Sequence, residues 1–302
     1  MIASLYFGKH NTLLAVLEKK TNGYDLQYIK KLADIFDLNA LNSNSSAAAM
    51  NEITEILSQF NITEFFVTLN PDNYISTNIP GSFKEDKTEF LKLVDFSIKQ
   101  HFSDKSIDDF RIKAVPINFA NKMEFVTMIS NELIIGIESV VAMFGYELTD
   151  INPAHISAIN SYNYNYIDCI SDTAILIQLL DNIFEFILIS NNKIIGLEYC
   201  SFEEDASANI IEDKLKQIGN DYSININSIY FYGDKLNKNN YLEYWKRGML
   251  VGDNTKRLNP FRLFNANLEQ RDKDYCMRMF QMYVACIGGA LPTTQSSTTI
   301  VL

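Results

Sequence analysis

The turn between the first two predicted strands carries residue types that bind phosphate. Residues 4–20 read SLYFGKHNTLLAVLEKK, in which an apolar strand pattern enters Gly8-Lys9-His10-Asn11-Thr12 and leaves as a second apolar strand. The glycine lets the backbone approach an anion closely, and Lys9 and the hydroxyl of Thr12 supply hydrogen-bond donors. Backbone turns of this kind can hold a phosphate. A complete phosphate site needs further groups, which other segments of the chain must supply.

Other residues that could support catalysis are scattered. Asp72 and Asp150 are single carboxylates that could serve as general bases, but an isolated acid in a loop is nearly always a solvated surface group. The histidines, at His10, His101 and His155, have no second ligand at metal-binding spacing, and the four cysteines include no Cys-x-x-Cys pair. We therefore predict no catalytic residues, no metal site and reduced core cysteines.

Composition limits the classes of partner. The chain has 302 residues, of which 47% are hydrophobic, so it can form one large or two medium domains. Its net charge of −11 disfavours nucleic acid and anionic lipid as partners. No apolar run reaches the ~18 residues of a spanning helix, and the N-terminus lacks signal-peptide features. We predict a cytoplasmic protein that does not insert directly into a membrane.

The first part of the chain predicts a mixed α/β layer. Apolar patterns predict strands at 2–7, 12–18 and 24–32, which form an antiparallel meander. A helix at 50–60 then leads to a strand at 65–69. Because a strand that follows a crossover helix adds in parallel, the sheet is expected to be mixed.

The same pattern returns in the second part of the chain. Three strands are predicted at 174–180, 184–190 and 193–202, followed by a helix at 206–218 and a strand at 228–232. The sequence therefore predicts two α/β halves that begin alike. We expect a first half at 1–165, a second half at 166–292 and a flexible tail at 293–302.

Further elements are predicted around these two meanders. The first half carries a helix-and-strand insertion near 72–130, which begins with the irregular stretch NPDNYISTNIPGSF. We predict helices at 87–101, 132–144, 154–161, 236–245 and 271–285, and strands at 110–116, 122–130 and 247–252.

A stretch of alternating tyrosine and asparagine, NSYNYNYID at 160–168, follows the predicted helix at 154–161. Its rings could form a stacking surface for bases or sugars. We favour a loop at the junction of the two halves, with amphipathic rings packed at its edge.

This layout resembles the actin-like ATPase superfamily, and within it the PilM-type pilus-assembly proteins. The resemblance rests on GSFKEDKTEFLKLVDFSIKQHF, MEFVTMISNELIIGIESVVAMFGYELTDINPAHISAINSY, AILIQLLDNIFEFILISNNKII and YVACIGGALP, in order along nearly the whole chain. It implies an α/β fold of two actin-like (ribonuclease H-like) halves, each with a mixed β-sheet and flanking helices.

The first nucleotide motif of the superfamily is incomplete here. In members that bind nucleotide, the first meander reads Asp-x-Gly-Ser/Thr-x-Ser/Thr, and its aspartate organises Mg²⁺. Tyr6 stands at that position. If a nucleotide does bind, the resemblance assigns the contacts to Gly8, Lys9, Asn11 and Thr12 of this turn.

The remaining motifs also depart from the superfamily pattern. The second meander offers Gln178-Leu179-Leu180 where an Asp-x-Gly is expected, and no glycine follows Asp181. The adenosine-seating Gly-Gly is reduced to Gly233, next to Asp234, and we interpret Gly288-Gly289 as a helix stop. Little chain is left for the lid subdomain that closes over adenine, so we expect the lid to be reduced or absent.

These losses favour a role without catalysis, because phosphoryl transfer needs metal, cradle and closure together. We expect no bound cofactor, ATP and Mg²⁺ included. The resemblance implies a non-catalytic adaptor or scaffold with a protein partner. One candidate partner is the cytoplasmic tail of an inner-membrane pilus or secretion protein, laid between the first half and the insertion. A divergent ATPase or kinase of the same superfamily is the alternative, and self-association into a homo-oligomer stays open.

Overall fold

The computed structural model describes residues 1–38, 40, 44–117, 123–169, 171–180, 183–201, 208–233, 236, 254–293 and 298–300. In chain order the strands are β1 (Ile2–Phe7), β2 (Thr12–Lys20), β3 (Gly23–Lys31), β4 (Glu64–Leu69), β5 (Ile75–Pro80), β6 (Phe110–Ile117), β7 (Met123–Ser130), β8 (Asp150–Pro153), β9 (Thr173–Leu179), β10 (Ile183–Ser190), β11 (Lys193–Ser201), β12 (Ser228–Tyr232), β13 (Thr255–Arg257), β14 (Asn265–Ala266) and β15 (Thr298–Ile300). The α-helices are α1 (Asn44–Leu57), α2 (Lys87–His101), α3 (Asn131–Met143), α4 (Ala154–Asn165), α5 (Ala208–Asp221), α6 (Gln270–Met279) and α7 (Val284–Gly289). No helix within these ranges is long and apolar enough to cross a membrane.

The first half is built on a six-stranded sheet of order β14-β3-β2-β1-β4-β8. β1, β2 and β3 form the predicted antiparallel meander, and β4 and β8 add in parallel beside β1. Helices α1 and α3 cover one face, where Ile53 and Ile137 share an apolar cluster with Leu5 and Val67. The mixed sheet expected from the sequence is therefore present.

The second half repeats this sheet. Its strand order is β11-β10-β9-β12-β13, with an antiparallel meander from β9 to β11 and two parallel strands beside β9. Order and directions match β3-β2-β1-β4-β8 strand for strand. Within the described residues between β11 and β12, α5 is the only helix. The predicted strand at 247–252, and the predicted helix at 236–245 apart from Leu236, lie outside the described residues.

The insertion forms a third sheet of order β15-β6-β7-β5, covered by α2 through Phe90, Val94 and Ile98. The stretch expected to be irregular contains β5. Its prolines are compatible with a strand, because Pro71 lies before β5 and Pro80 is its last residue, so neither interrupts the pairing in the middle of the strand. Residues 298–300, expected to lie in a flexible tail, pair antiparallel with β6.

The tyrosine- and asparagine-rich stretch is helical rather than a loop. α4 continues to Asn165, and along it only the side chain of Tyr164 is not buried. Tyr162 and Tyr166 stack on each other, and both rings meet the Tyr230 ring at a steep angle, so they pack against protein. The asparagine side chains donate to main-chain carbonyls, as Asn160 Nδ2 does to Gly288 O at 3.3 Å. The junction position was predicted, but the stretch offers no free stacking surface.

The end of the chain returns to the first sheet. Tyr283, Cys286 and Ile287 share a buried cluster with Leu13 and Ala15, so this segment covers the face opposite α1 and α3. The expected division at 166–292 therefore separates the two meanders, but β14 and α7 from the second range return to the first sheet. The single helix expected at 271–285 is divided by a 3₁₀ turn at 280–282.

Gly288 and Gly289 end α7, as predicted, and also allow close packing. A Cβ at Gly288 would overlap the Ser157 carbonyl oxygen of α4, and one at Gly289 would overlap the side chain of Thr68 on β4. Only glycine lets the backbones approach this closely.

Candidate functional site between the two halves

The structure brings the predicted phosphate turn after β1 and the end of β9 to one cavity between the halves. β1 and β9 occupy equivalent places in the two sheets, so the segments next to these strands line the cavity from its two sides. They enclose a cavity of about 100 Å³, lined by Tyr6, Gly8, Lys9, His10, Asn11, Asn70, Asp72, Gln178, Leu179, Leu180, Ile183, Tyr232, Gly233, Met282 and Ala285. Four of the five residues named for nucleotide contact, all except Thr12, lie at this cavity.

Tyr6 occupies the space beside the first turn. Its hydroxyl lies 3.3 Å from Asn70 Oδ1, to which it donates, and the side chain is buried. A Cβ placed on Gly8 would come within 2.7 Å of the Tyr6 ring. The aromatic ring therefore fills the side of the turn where a metal-organising carboxylate would be needed.

The second turn presents neutral groups. Gln178 is buried near the end of β9, and its Oε1 accepts a 3.1 Å hydrogen bond from the Tyr232 hydroxyl. Leu179 is buried beside it, and Leu180 N–H donates to Ile183 O at 3.0 Å to close the hairpin. Asp181 and Asn182 lie outside the described residues.

Thr12 and Gly233 are engaged in holding the backbone. Thr12 is fully buried, and its Oγ1 accepts the Phe36 N–H at 2.8 Å, which anchors the segment after β3. Gly233 has a φ of +109°, and its N–H donates to Gln281 O at 3.0 Å. Asp234 lies outside the described residues.

The two candidate general bases lie apart. Asp72, at the cavity mouth, is 60% exposed and pairs with Lys9 across 3.6 Å. An ion pair this exposed contributes little stability. Asp150 is on the edge strand β8, where its carboxylate accepts two hydrogen bonds from Lys113 at 3.0 and 3.1 Å. Only Asp72 is near the cavity.

These groups do not fit a nucleotide with its metal. Pockets for small molecules occupy about 300–1,000 Å³, well above the volume found here. Tyr6, Gln178 and Leu179 supply no charge where the superfamily motifs require carboxylates. Among the described residues, no three His, Cys, Asp or Glu side chains come together to hold a metal ion. The described lining therefore offers neither the volume of a small-molecule pocket nor the motif carboxylates that would organise a metal.

A buried polar cluster lies next to the cavity residue Gln178, which pairs with Glu185, and no sequence pattern predicts it. Glu185 on β10 and His155 on α4 are both fully buried, with Oε1 3.9 Å from Nδ1. Tyr199 donates to Glu185 Oε1 at 3.1 Å, while Tyr74 and Thr127 bond the two ring nitrogens of His155 at 3.0 and 3.2 Å. Glu185 lies in a strand that is buried on both faces. The strand's sequence therefore does not alternate between apolar and polar residues, and it does not indicate which face Glu185 occupies.

Burial favours the neutral form of both members of this pair. It raises the pKa of Glu185 from 4.5 to about 7, with hydrogen bonds from Tyr199 and Tyr232 acting in the opposite direction. It lowers the pKa of His155 from 6.5 to about 3. Here the free energy needed to move a charged group out of water is larger than the free energy gained from its hydrogen bonds to the neighbouring hydroxyl groups.

A shared apolar core fixes the halves and the insertion together. Val115, Ile117 and Phe125 of the insertion lie in one buried cluster with Ile187 and Leu197 of the second sheet. Residues of α4 complete this cluster. Separating the halves would therefore expose apolar surface as well as the polar pair.

A second depression of about 510 Å³ lies on the first half, where the chain enters the insertion. The β1–β2 turn, the segment after β3 and the segment after β4 contribute its lining: Phe7, Gly8, Lys9, Ile35, Phe36, Asp37, Leu38, Ala40, Ser45, Asn70, Asp72 and Asn73. We call this depression the entry groove.

Comparison with solved structures identifies the architecture. The fold is similar to that of a PilM-PilN type IV pilus biogenesis complex, with a TM-score of 0.69 and 10% identity, over 96% of this chain and 97% of that chain. It is also similar to a Bacteroides thetaiotaomicron protein of unknown function with an actin-like ATPase fold, with a TM-score of 0.51 and 9% identity, over 86% and 91% of the two chains. This chain has an actin-like fold.

Other similarities to this actin-like chain are weaker. The cytoplasmic domain of EpsL, an inner membrane component of the Vibrio cholerae type II secretion system, gives a TM-score of 0.46 at 8% identity, over 76% of this chain and 81% of that domain. No protein family and no curated protein matches the sequence. At these sequence identities the structural similarity defines the fold alone, and any function has to be argued from the residues of the site.

Proposed function

We propose that this chain is a non-catalytic actin-like adaptor that binds an extended segment of a protein partner. The observation that carries the proposal is the cavity between the halves, where Tyr6, Gln178 and Leu179 replace the groups that phosphate and metal require. A fold retained at nearly full length without those groups is suited to binding rather than chemistry. The whole-chain similarity to a PilM-PilN complex supports a pilus or secretion assembly protein as the partner.

The entry groove is the site we propose for the partner. Ile35 is 39% exposed, and the partly buried Leu38 lies in the same lining, so apolar side chains of a partner can be covered there. Asp37 and Asp72 in that lining favour a basic residue on the partner. A volume of about 510 Å³ suits a few residues of extended chain.

The proposed location follows from the proposed partner. The chain acts in the cytoplasm and is recruited to the inner membrane by the partner's tail. Its net charge of −11 opposes independent adsorption to anionic lipid, so recruitment depends on the partner.

Nucleotide binding is the first test. Thermal unfolding is measured with and without millimolar ATP and Mg²⁺, together with phosphate release. A micromolar site would stabilise the folded protein by about 4 kcal/mol under these conditions. We expect no shift of the unfolding temperature and no hydrolysis, and a clear upward shift would contradict the binding-only role.

Partner binding is tested with peptides. Cytoplasmic segments of single-spanning membrane proteins encoded beside this chain's gene are synthesised, and their binding is followed by fluorescence anisotropy. We expect one peptide to bind, and Ile35→Asp to weaken it at least tenfold. Ile135→Asp is the matched control, because Ile135 is exposed on α3 and does not line the groove. Equal affinity of both variants would exclude the entry groove as the site.

A divergent nucleotide-binding protein remains the second candidate, because Gly8, Lys9, Asn11 and Gly233 still line one cavity. If nucleotide does stabilise the chain, Lys9→Ala should remove the stabilisation, since Lys9 is a cation of the turn itself. Persistence of the shift in that variant would place the nucleotide elsewhere.

A further inference from the structure

Tyr74 connects the wall of the entry groove to the buried Glu185–His155 pair. Asp72 and Asn73 line that groove, and Tyr74 follows them directly in the chain. The Tyr74 hydroxyl lies 3.0 Å from His155 Nδ1, and Nδ1 lies 3.9 Å from Glu185 Oε1. A carboxyl group of the second half is therefore two contacts away from the groove wall on the first half.

The groove wall and Tyr74 belong to one hydrogen-bonded turn, the 3₁₀ segment Pro71–Asn73 and its flanking residues. Asn73 N–H donates to Asn70 O at 2.9 Å, and Tyr74 N–H contacts Pro71 O at 3.5 Å. A displacement of the Tyr74 side chain is therefore passed to the groove through a short, internally bonded segment.

The His155 ring is held by neighbours other than Tyr74. The Phe125 ring packs edge-on against it, with centroids 4.7 Å apart, and Thr127 Oγ1 lies 3.2 Å from Nε2. A neutral imidazole carries one N–H, so one ring nitrogen donates a hydrogen bond and the other accepts one. The tautomer of His155 therefore decides whether Tyr74 donates to Nδ1 or has to find another acceptor.

The protonation state of Glu185 favours one tautomer over the other. Glu185 Oε2 is buried and has no hydrogen-bond partner within the described residues, and no Lys or Arg side chain there pairs with this carboxyl. The titratable groups around it are His155 on α4, Tyr199 on β11, Tyr232 on β12 and Tyr74. A neutral carboxyl leaves Nδ1 free to accept from Tyr74, whereas a carboxylate attracts N–H and O–H donors.

We propose that loss of a proton from Glu185 shifts Tyr74 and with it the wall of the entry groove, a regulation that rests on the groove's proposed role as the partner site. With Glu185 protonated, His155 carries its proton on Nε2, and Tyr74 donates to Nδ1. With Glu185 ionised, one proton has left to solvent, neutral His155 carries its proton on Nδ1, facing the carboxylate, and the Tyr74 hydroxyl turns to Glu185 Oε2. Tyr74 is then drawn deeper into the protein, and Asp72 and Asn73 move away from the groove.

The change falls near neutral pH. Burial raises the pKa of Glu185 to about 7 and lowers the pKa of His155 to about 3, so within this pair Glu185 is the group that titrates between pH 6 and 8. Tyr199, which donates to Glu185, has a side chain 42% exposed and forms the layer between the carboxyl and solvent. We therefore expect the groove to bind its partner more tightly at pH 6 than at pH 8.

Imidazole ¹⁵N spectra of the full-length chain test the tautomer change without a partner. Of the three histidines, His155 alone is buried, which sets its signals apart. We expect its proton on Nε2 at pH 6 and on Nδ1 at pH 8 in the wild type, and on Nε2 at both pH values in Glu185→Gln. Glu138→Gln, which removes an exposed carboxyl, should behave as the wild type. A wild-type tautomer that is the same at both pH values would overturn the proposal.

Hydrogen exchange of residues 70–75 tests the movement of the groove wall. Wild type and Glu185→Gln are compared at equal pH, which cancels the chemical pH dependence of exchange. We expect equal rates at pH 6 and about threefold faster exchange in the wild type at pH 8. The strand β2, which does not contact the pair, should exchange alike in both and controls for a change in global stability. Equal rates in residues 70–75 at pH 8 would contradict the movement.

Partner affinity measures the consequence. A histidine-free cytoplasmic peptide that binds the groove should bind the wild type about threefold more tightly at pH 6 than at pH 8. Glu185→Gln and Tyr74→Phe should each abolish this ratio, because one lacks the titrating group and the other lacks the hydroxyl. Equal wild-type affinity at both pH values would exclude the regulation. If no peptide binds, the proposed function fails, whereas the tautomer and exchange measurements still decide whether Glu185 moves the groove wall.

Discussion

The two halves are built on sheets of matching layout, yet the described residues at the ends of β1 and β9 differ in kind. β1 is followed by an exposed, polar turn, with Lys9 paired to Asp72, whereas β9 ends in the buried Gln178 and Leu179. The strand order and direction of β3-β2-β1-β4-β8 match those of β11-β10-β9-β12-β13. The backbone layout of an actin-like site therefore persists without its chemistry, because the layout depends on apolar burial and the chemistry depends on a few side chains.

The largest expected effect tests whether the halves form one body. Gly288→Ala places a methyl group against the Ser157 carbonyl, so α7 must move away from α4. We expect a loss of about 3 kcal/mol or more in the free energy of unfolding, measured in urea. Gly136→Ala is the matched control, because nothing lies near its Cβ in α3. A gain of up to about 1 kcal/mol is expected there from helix propensity. If the two variants were equally stable, α7 and α4 would not be closely packed at Gly288.

The second largest effect concerns the buried Glu185–His155 pair. Glu185 lies on β10 of the second half, and His155 lies on α4 of the first half. The folded chain holds the Glu185 proton up to pH about 7, and the unfolded chain loses it near pH 4.5, so this group lowers stability as pH rises between those values. His155 acts in the opposite direction from pH 3 to 6.5, because only the unfolded chain is protonated there. In the wild type the two dependences oppose each other between pH 4.5 and 6.5.

Glu185→Gln should expose the contribution of the histidine. Between pH 4.5 and 7 the free energy of unfolding of the variant should rise by about 3 kcal/mol relative to that of the wild type. Urea unfolding at several pH values measures this difference. Glu138→Gln, which removes an exposed carboxyl, controls for the loss of one charge. A difference that stays constant with pH would show that Glu185 is ionised in the folded protein.

The third effect compares the tyrosines of the two halves. Tyr232→Phe leaves Gln178 Oε1 without its donor in a buried place, which should cost about 1–3 kcal/mol. Tyr6→Phe removes a longer hydrogen bond at the cavity and should cost about 1 kcal/mol. Thermal and urea unfolding of both variants would rank them. If Tyr6→Phe lost more stability than Tyr232→Phe, the hydrogen bond beside the first turn would contribute more to folding than the one at the end of β9.

The smallest effect is expected at the exposed turn. Lys9→Ala removes an ion pair whose partners are more than half exposed, so stability should change by less than about 0.5 kcal/mol. Urea unfolding at low and high salt would reveal any electrostatic contribution. A larger loss would show that the first turn is structurally engaged.

The sequence could predict elements whose burial follows a simple period. β1 at 2–7 and α2 at 87–101 have the predicted bounds, and both meanders are present. Their apolar residues recur at every second position, in continuous runs, or along one helical face. The actin-like fold expected from the order of these elements is confirmed by the structural comparison.

Elements that depend on distant contacts could not be predicted in this way. β15 exists because β6 offers an edge, and α4 extends to Asn165 because its asparagines find main-chain partners. The Glu185–His155 pair arises where two half-chains meet, so no local pattern contains it. Four of the five candidate site residues line one cavity, while the role of each depends on neighbours that only the fold supplies.

The core shared by the insertion and the second sheet has a mechanical consequence. Phe125 and Val115 press directly on the cluster that contains Ile187 and Leu197. A pulling force applied at the insertion is therefore carried into the second half along two routes, this core and α4. If a tether were attached near the insertion, the insertion and the second half would therefore respond to the force as one rigid unit and would not bend relative to each other.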